Sequence, residues 1–181
     1  FEALMHETGH AIYEFGLPKK WKNQPIGKAA GMSLHESQSL FIEMQIVKSM
    51  EFSIFLEKIF REKFNKKGDE WNFKNLFNLR TEVKKNYIRV DADEVSYPLH
   101  IIHRFNIEKL LISKGESINY LPEIWNKEFK RIFDLNVTND NEGCLQDIHW
   151  FSGTFGYFPS YFIGAMISAQ IKYFLLNNNQ T

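Results

Sequence analysis

The sequence feature that most constrains the fold is the pentapeptide His6-Glu7-Thr8-Gly9-His10, near the start of the chain. Apolar residues recur at helical spacing around it, and Gly16-Leu17-Pro18 ends that pattern. We therefore predict a helix over residues 1–15. Residues four positions apart on a helix lie on one face, so this helix brings the two histidine side chains together.

The spacing of His6 and His10 suits a metal ion, because two imidazoles on one helix face can occupy two corners of a zinc tetrahedron. Glu7 then lies beside the metal, where its carboxylate can take a proton from water. Gly9 costs a helix about 1 kcal/mol relative to alanine, which indicates close packing or access at this point. The alternative is a pair of surface histidines on an amphipathic helix without a metal.

A catalytic zinc site needs a third protein ligand, and the strongest candidate is Glu36. It lies at the start of the next long helix-compatible segment, and no other acidic residue lies between Glu14 and Glu43. An antiparallel pair of helices would bring its carboxylate to the two histidines. Two alternatives stay open, because Ser33-x-x-Glu36 is also a capping-box pattern and His35 competes as the third ligand.

The rest of the chain predicts a mainly α-helical fold with at most a small β-sheet near the active site. A loop at residues 17–32 precedes further helix-compatible segments at residues 33–64, 94–115, 122–135 and 159–176. Tyr87-Ile88-Arg89-Val90 is a β-prone tetrad that could form one short strand. Residues 136–158 are first polar and then rich in Gly and aromatic residues, which predicts a structured loop.

Composition excludes several classes of protein. Lys+Arg 22 and Asp+Glu 22 give a formal net charge of zero, so the chain lacks the charge footprint of a nucleic-acid binder. Cys144 is the single cysteine, which rules out an internal disulfide, and with no visible signal peptide it favours a cytoplasmic protein. Residues 150–171 carry no Asp, Glu, Lys or Arg, but the part after Pro159 is too short for a membrane span, so we expect a buried helix.

Two further groups of polar residues lie in the middle of the chain. Arg89 could bind a carboxylate through two parallel hydrogen bonds, or could equally form an ordinary salt bridge. Asp93 is well placed as the N-cap of a helix that begins near Glu94. His100 and His103 are three positions apart and could bind a metal, but without a third ligand nearby we expect core or surface histidines.

The last polar group lies in the predicted loop. His149 and Tyr157 stand in a Gly-rich aromatic segment and could donate hydrogen bonds to a developing oxyanion, or could belong to an aromatic loop that packs on the core. Cys144 has no obvious catalytic partner in the sequence, so we expect it to pack as a small apolar residue.

Four sequence blocks together resemble the Taq-type thermostable metallocarboxypeptidase family, a group of HExxH zinc exopeptidases. The blocks are HETGH, HESQ, IRVDAD, and GCLQDIHW followed by GYFPSY. They run from residue 1 to about residue 170, and complete members of that family are much longer. The resemblance therefore implies that residues 1–181 are an internal or C-terminal fragment of a catalytic domain.

The resemblance implies a role for each matched residue. The metal ligands would be His6, His10 and Glu36, and the general base would be Glu7. The side chain holding the substrate's terminal carboxylate would be Arg89, and those lining the site near the scissile carbonyl would be His149 and Tyr157. The sequence departs from the family pattern at Leu40, where an arginine is usual, and at Pro98, which stands inside a predicted helix.

The resemblance also implies the reaction and the assembly. The reaction would be zinc-dependent hydrolysis of the C-terminal peptide bond with broad specificity, and Co²⁺ could replace Zn²⁺. The assembly would be a homodimer of mostly helical chains, each around a deep groove. Its partners would be peptides with a free C-terminus. The alternatives are an HExxH endopeptidase or aminopeptidase, and a non-catalytic metal-binding helical fragment.

Overall fold

The computed structural model describes residues 1–178, and the regular structure of these residues is helical with no strand. This confirms the mainly α fold class. Seven α-helices lie in this part of the chain. They are α1 (Glu2–Gly16), α2 (Met32–Leu40), α3 (Met50–Lys63), α4 (Phe73–Arg80), α5 (Tyr97–Glu108), α6 (Leu121–Phe133) and α7 (Phe158–Asn178).

The chain divides into two compact units. The first contains Phe1–Glu82 and Ser160–Thr181, and the second contains Val83–Pro159. The HExxH segment and the HESQ segment belong to the first unit, whereas the IRVDAD segment and the aromatic loop belong to the second.

In the first unit, α1 packs against α2 and the π-helix Phe41–Val47 that continues it. Gly9 lies at the closest approach of the two helices and is buried. A Cβ atom there would lie 2.5 Å from the Cα of Ser39 and 2.6 Å from the carbonyl oxygen of Gln38. Only glycine fits this crossing, which confirms close packing as the reason for a residue that weakens the helix.

The prediction of one continuous helix over residues 33–64 was wrong. The π-helix ends at Val47, and Ser49 has extended backbone angles and caps α3 by accepting a hydrogen bond from the backbone N–H of Phe52 at 3.1 Å. Serine is a favoured N-cap residue, so the sequence did carry this start signal. The segment contains no Gly or Pro, so no helix-breaking residue indicates where the first helical stretch ends.

In the second unit, α5 and α6 pack together around an aromatic core. Its buried members are Ile107, Leu121, Trp125, Phe129, Phe133 and Cys144. Pro122 stands in the first turn of α6, as predicted, where its missing N–H has no helical partner to lose. Cys144 packs as a small apolar residue, and burial raises the pKa of its thiol.

Two predictions about residues 87–97 need correction. The tetrad ending at Val90 is not a strand, because no second strand exists in residues 1–178 to pair with it, and the chain turns through a 3₁₀ segment at Arg89–Asp91. The next helix begins at Tyr97, not near Glu94, and Pro98 therefore stands in its first turn. Asp93 closes the turn before this helix by accepting hydrogen bonds from the N–H groups of Val95 and Ser96, both at 2.9 Å.

The final third of the chain follows the prediction closely. Residues 134–157 contain no regular helix or strand, and α7 begins at Phe158, beside the predicted start at Pro159. Among the described residues, every helix is too short or too polar to cross a membrane.

Candidate active site

Three side chains of the first unit converge as a metal site would require. His6 and His10 lie one turn apart on α1, and Glu36 lies on α2. One ligand atom from each residue lies within 4.8 Å of the others. The Nε2 atoms of His6 and His10 are each 3.6 Å from an oxygen of the Glu36 carboxylate. Ligands about 2.1 Å from a tetrahedral zinc lie about 3.4 Å apart, so these residues fit a divalent metal.

Close packing fixes the carboxylate of this group. Glu36 is buried, with 5% of its surface exposed. A Cβ atom at Gly164 on α7 would lie 3.0 Å from the Cβ of Glu36 and 3.1 Å from its Cγ. A side chain at position 164 would therefore press on Glu36, and glycine lets α7 approach this carboxylate directly.

The outer nitrogens of the two imidazoles have their own partners, which leaves the Nε2 atoms for a metal. The Nδ1–H of His6 donates to the carboxylate of Glu43 at 2.8 Å. The Nδ1 of His10 lies 2.6 Å from the Nδ1 of His35, whose Nε2 lies 2.8 Å from a carboxylate oxygen of Glu14. Such outer partners set the tautomer and orientation of a metal-binding imidazole.

These contacts favour Glu36 among the alternatives for the third ligand. His35 faces the outer nitrogen of His10, so it supports a ligand and does not complete the set. Ser33 is not an N-cap, because α2 begins at Met32 after Gly31, which has a φ of 93°. The capping-box interpretation therefore fails, and Glu36 stands with the histidines.

The two histidines differ in their electrostatic surroundings. Burial lowers the pKa of His6, but the hydrogen bond to Glu43 and the nearby charge of Glu36 outweigh burial, so the pKa is raised overall. Burial and the neighbouring imidazoles of His6 and His35 lower the pKa of His10. Glu7, the expected general base, is exposed on α1, where its charge acts on both imidazoles.

The second unit holds a different charged cluster around Asp147. The Nε and Nη2 of Arg89 donate to one oxygen of Asp147, at 3.0 and 2.7 Å, and the Nε of Arg104 donates to the other oxygen at 2.6 Å. Arg104 is fully buried on α5. Burial raises the pKa of Asp147, but the charge of Arg104 and the hydrogen bonds from Arg89 outweigh it and hold the pKa below its ordinary value.

Gln146 ties this cluster to the backbone. Its side-chain oxygen accepts hydrogen bonds from the backbone N–H of Arg89 at 2.9 Å and from the Nη2 of Arg104 at 2.7 Å. Its amide nitrogen donates to the carbonyl of Tyr87 at 3.1 Å. Two guanidinium groups share the carboxylate of Asp147, so this group of three charges carries a net charge of +1, which suits an anionic ligand.

His149 and Tyr157, which the sequence placed in one loop, lie near each other with ring centroids 5.6 Å apart. The His149 ring also packs on Phe158 at 4.4 Å. Burial and the charge of Arg89 lower the pKa of His149, so the ring is neutral at pH 7 and can donate a hydrogen bond from one nitrogen.

His100 and His103 are core residues and not metal ligands. Both are fully buried on α5, and the His100 ring packs on Phe133 with centroids 4.4 Å apart. Burial and the charge of Arg104 lower the pKa of each to about 3. Both imidazoles are therefore neutral at pH 7, and both lie in the core, one of the two locations that the sequence favoured.

The sequence analysis missed the supporting residues. Glu43, Arg104 and Asp147 were given no role, although Glu43 contacts His6, Asp147 contacts Arg89, and Arg104 binds Asp147 in turn. Glu43 carried a usable signal, since it follows Glu36 by seven positions, two helical turns. Arg104 and Asp147 carried none, because Asp147 lies 43 positions from Arg104 and 58 positions from Arg89.

Comparison with known proteins decides the family. Residues 1–180 match the carboxypeptidase Taq (M32) metallopeptidase family. The chain belongs to this family. It is 39% identical over 174 residues to Carboxypeptidase 1 of Bacillus subtilis, covering 96% of this chain and 35% of that protein. It is 38% identical over 173 residues to Thermostable carboxypeptidase 1 of Pyrococcus furiosus, covering 94% of this chain and 34% of that protein.

A solved structure agrees with this family assignment. Metallocarboxypeptidase 1 of Trypanosoma cruzi superposes with a TM-score of 0.93 at 40% identity, covering 99% of this chain and 36% of that one. The chain thus spans about a third of the length of the relatives it matches.

Proposed function

We propose that this protein is a zinc-dependent metallocarboxypeptidase that releases single residues from the C-terminus of peptides with broad specificity. The observation that carries the proposal is the convergence of His6, His10 and Glu36 in a chain of this metallopeptidase family. Two imidazoles and one carboxylate are a donor set that catalytic zinc uses, with a position left open for water or substrate.

The proposed chemistry assigns one task to each part of the site. Zinc, when bound, polarises a peptide carbonyl and makes water a nucleophile near neutral pH. The Glu7 carboxylate accepts a proton from the attacking water and passes it to the nitrogen of the leaving residue. His149 and Tyr157 donate hydrogen bonds to the oxyanion that forms at the scissile carbonyl.

Arg89 is proposed to bind the terminal carboxylate of the substrate and so to select the last peptide bond. The net charge of +1 on Arg89, Arg104 and Asp147 supports this role, since a second carboxylate would neutralise the cluster. Guanidinium groups match carboxylates in shape as well as charge.

Further parts of the proposal follow the family resemblance. We expect a homodimer that acts on peptides with a free C-terminus and not on nucleic acid, in keeping with the zero net charge. The single cysteine supports a reducing compartment, and we propose the cytoplasm. Co²⁺ should replace Zn²⁺, because both accept the same nitrogen and oxygen ligands in tetrahedral geometry.

The proposal is tested by measuring zinc content and product release on one preparation of the full chain. The substrate is a blocked dipeptide, offered as the free acid and as the C-terminal amide. We expect stoichiometric zinc and cleavage of the free acid alone, lost on chelation. Cleavage inside an amidated peptide, release from the amino end, or zinc without any release would each overturn the carboxypeptidase assignment.

Two variants then separate the base from the carboxylate receptor. Glu7→Gln should lower turnover by at least about 100-fold with zinc retained, because a positioned base contributes about 10²–10⁴-fold. Glu51→Gln, an exposed residue of α3, is the matched control. Arg89→Ala should slow the free acid far more than any residual reaction of the amide, and an equal loss on both would remove its role.

A further inference from the structure

Glu108, at the end of α5, is a buried carboxylate with no task in the chemistry above. Only 5% of its surface is exposed. Its Oε1 accepts a hydrogen bond from the Nε1–H of Trp150 at 2.8 Å, and its Oε2 accepts one from the backbone N–H of Gly156 at 3.1 Å. The two donors are six positions apart, so one side chain holds both sides of the turn between them.

The chemistry of this contact requires a carboxylate. Both donors are neutral, and within residues 1–178 no side-chain nitrogen of a Lys, Arg or His lies within 4.0 Å of the carboxylate oxygens of Glu108. Burying a charge without a cation costs free energy, so this arrangement is a poor way to gain stability alone. A carboxylate is, however, the side chain that offers two acceptor oxygens and no donor, and two N–H groups need both.

The atoms that Glu108 holds are adjacent to the two proposed oxyanion donors. His149 immediately precedes Trp150, and Tyr157 immediately follows Gly156. Gly156 has a φ of 74°, a region that favours glycine, so its N–H direction depends on a conformation that other residues resist. The turn is also closed within itself, because the N–H of Thr154 donates to the carbonyl of His149 at 2.8 Å.

Helix α5 holds the start of the same loop through Arg104, one turn before Glu108. Arg104 binds Gln146 and Asp147, whereas Glu108 binds Trp150 and Gly156. Residues four apart lie on one helix face, so a single rigid face contacts the loop both before and after His149. A rigid element that fixes a loop in this way provides the preorganisation that oxyanion donors need.

We propose that Glu108 is a positioning residue that fixes His149 and Tyr157 for catalysis; this inference rests on the function proposed above. In Glu108→Gln the side chain keeps its size but loses one acceptor and turns an NH₂ group toward a donor. We expect kcat to fall by roughly 10- to 100-fold, since losing one oxyanion donor outright costs about 10²–10³-fold. KM for the free-acid peptide should change little, because the contacts of Arg89 are retained.

Two further variants keep the test informative. Glu123→Gln, on the exposed side of α6, is the matched control and should leave kcat and KM unchanged. Trp150→Phe removes the donor to Oε1 and keeps an aromatic ring, so it should reproduce the loss in kcat. If Glu108→Gln fails to fold, Trp150→Phe carries the same prediction.

A readout without turnover separates this inference from the function on which it rests. Amide hydrogen exchange at Gly156 and Thr154 should accelerate in Glu108→Gln and not in Glu123→Gln. Unchanged exchange overturns the contact, whatever the activity. Faster exchange with wild-type kcat and KM overturns the positioning role and leaves only a structural one. A wild-type protein that releases no C-terminal residue instead refutes the proposed function, and the positioning role falls with it.

Discussion

The first unit holds the group His6, His10 and Glu36, and the second unit holds the cluster of Arg89, Arg104 and Asp147. The two differ in the sign of the charge that each can bind. His6, His10 and Glu36 place two imidazole nitrogens and a carboxylate within 4.8 Å of one another, a donor set that suits a cation. Arg89 and Arg104 already share the carboxylate of Asp147 and carry the surplus positive charge. The first group therefore suits a cation, and the second suits an anion.

The groups also differ in what holds them together. The metal ligands come from two neighbouring helices, and their outer partners Glu43 and His35 are partly exposed. Asp147, in contrast, joins two buried guanidinium groups from distant positions in the sequence. We therefore expect changes around the metal ligands to alter binding, and changes around Asp147 to alter stability.

Asp147→Asn should give the largest effect and should act on stability. Removing one partner of a buried ion pair costs about 3–5 kcal/mol, because the remaining charge is left buried and unpaired. Here two guanidinium groups lose the same partner. Urea unfolding should show that loss, while zinc affinity stays within a few-fold of wild type. Asp91→Asn, an exposed aspartate two positions after Arg89, is the control, and equal stability of the two variants would contradict the distinction.

Gly9→Ala should give the next largest effect, and it tests whether the candidate metal site depends on the crossing of α1 and α2. The new Cβ would meet the backbone of α2 at 2.5 Å, and overpacking of this kind costs about 1–3 kcal/mol. Zinc affinity should fall too, because α1 and α2 carry the ligands. Gly16→Ala is matched by residue type and helix but meets nothing within 4 Å, so it should be neutral or stabilising.

The surroundings of Gly9 and of Asp147 differ in how far the sequence could predict them. The ligands were predictable because HExxH spacing is local to a helix, and Gly9 carried a signal as a helix-weakening residue. The Arg89–Asp147 pair was not, since the partners are 58 positions apart and only tertiary packing joins them. The short strand at residues 87–90 failed for the same reason, because a strand needs a partner that local sequence does not specify.

Acid pH should weaken the second unit through its buried histidines. His100 and His103 have pKa values of about 3 in the folded protein and ordinary values near 6.5 when unfolded. Between these values the unfolded chain binds more protons, so stability is lost as pH falls below about 6.5. Each histidine should lower the free energy of unfolding by about 2 kcal/mol at pH 5 relative to pH 7.5.

The measurement compares the free energy of unfolding of wild type and His100→Leu at both pH values. The two proteins can differ in stability at pH 7.5, so the quantity compared is the decrease in the free energy of unfolding from pH 7.5 to pH 5. This decrease should be about 2 kcal/mol smaller in the variant than in wild type. An equal loss in both proteins would mean that His100 takes up protons as readily in the folded state as in the unfolded chain.

Glu43→Gln should give the smallest effect and should act on binding alone. The amide still accepts one hydrogen bond from the Nδ1–H of His6, but it no longer raises the basicity of the ring as a carboxylate does. Changes to such outer partners cost about 10–100-fold in metal affinity, and we expect the lower end because the hydrogen bond is kept. Competition with a chelating indicator measures the affinity, with Glu51→Gln as the control.

The stability of Glu43→Gln in urea should stay near that of wild type, because Glu43 is only partly buried and its partner ring is partly exposed. If the variant bound zinc normally but unfolded at a lower urea concentration than wild type, Glu43 would act on stability, as we expect for Asp147.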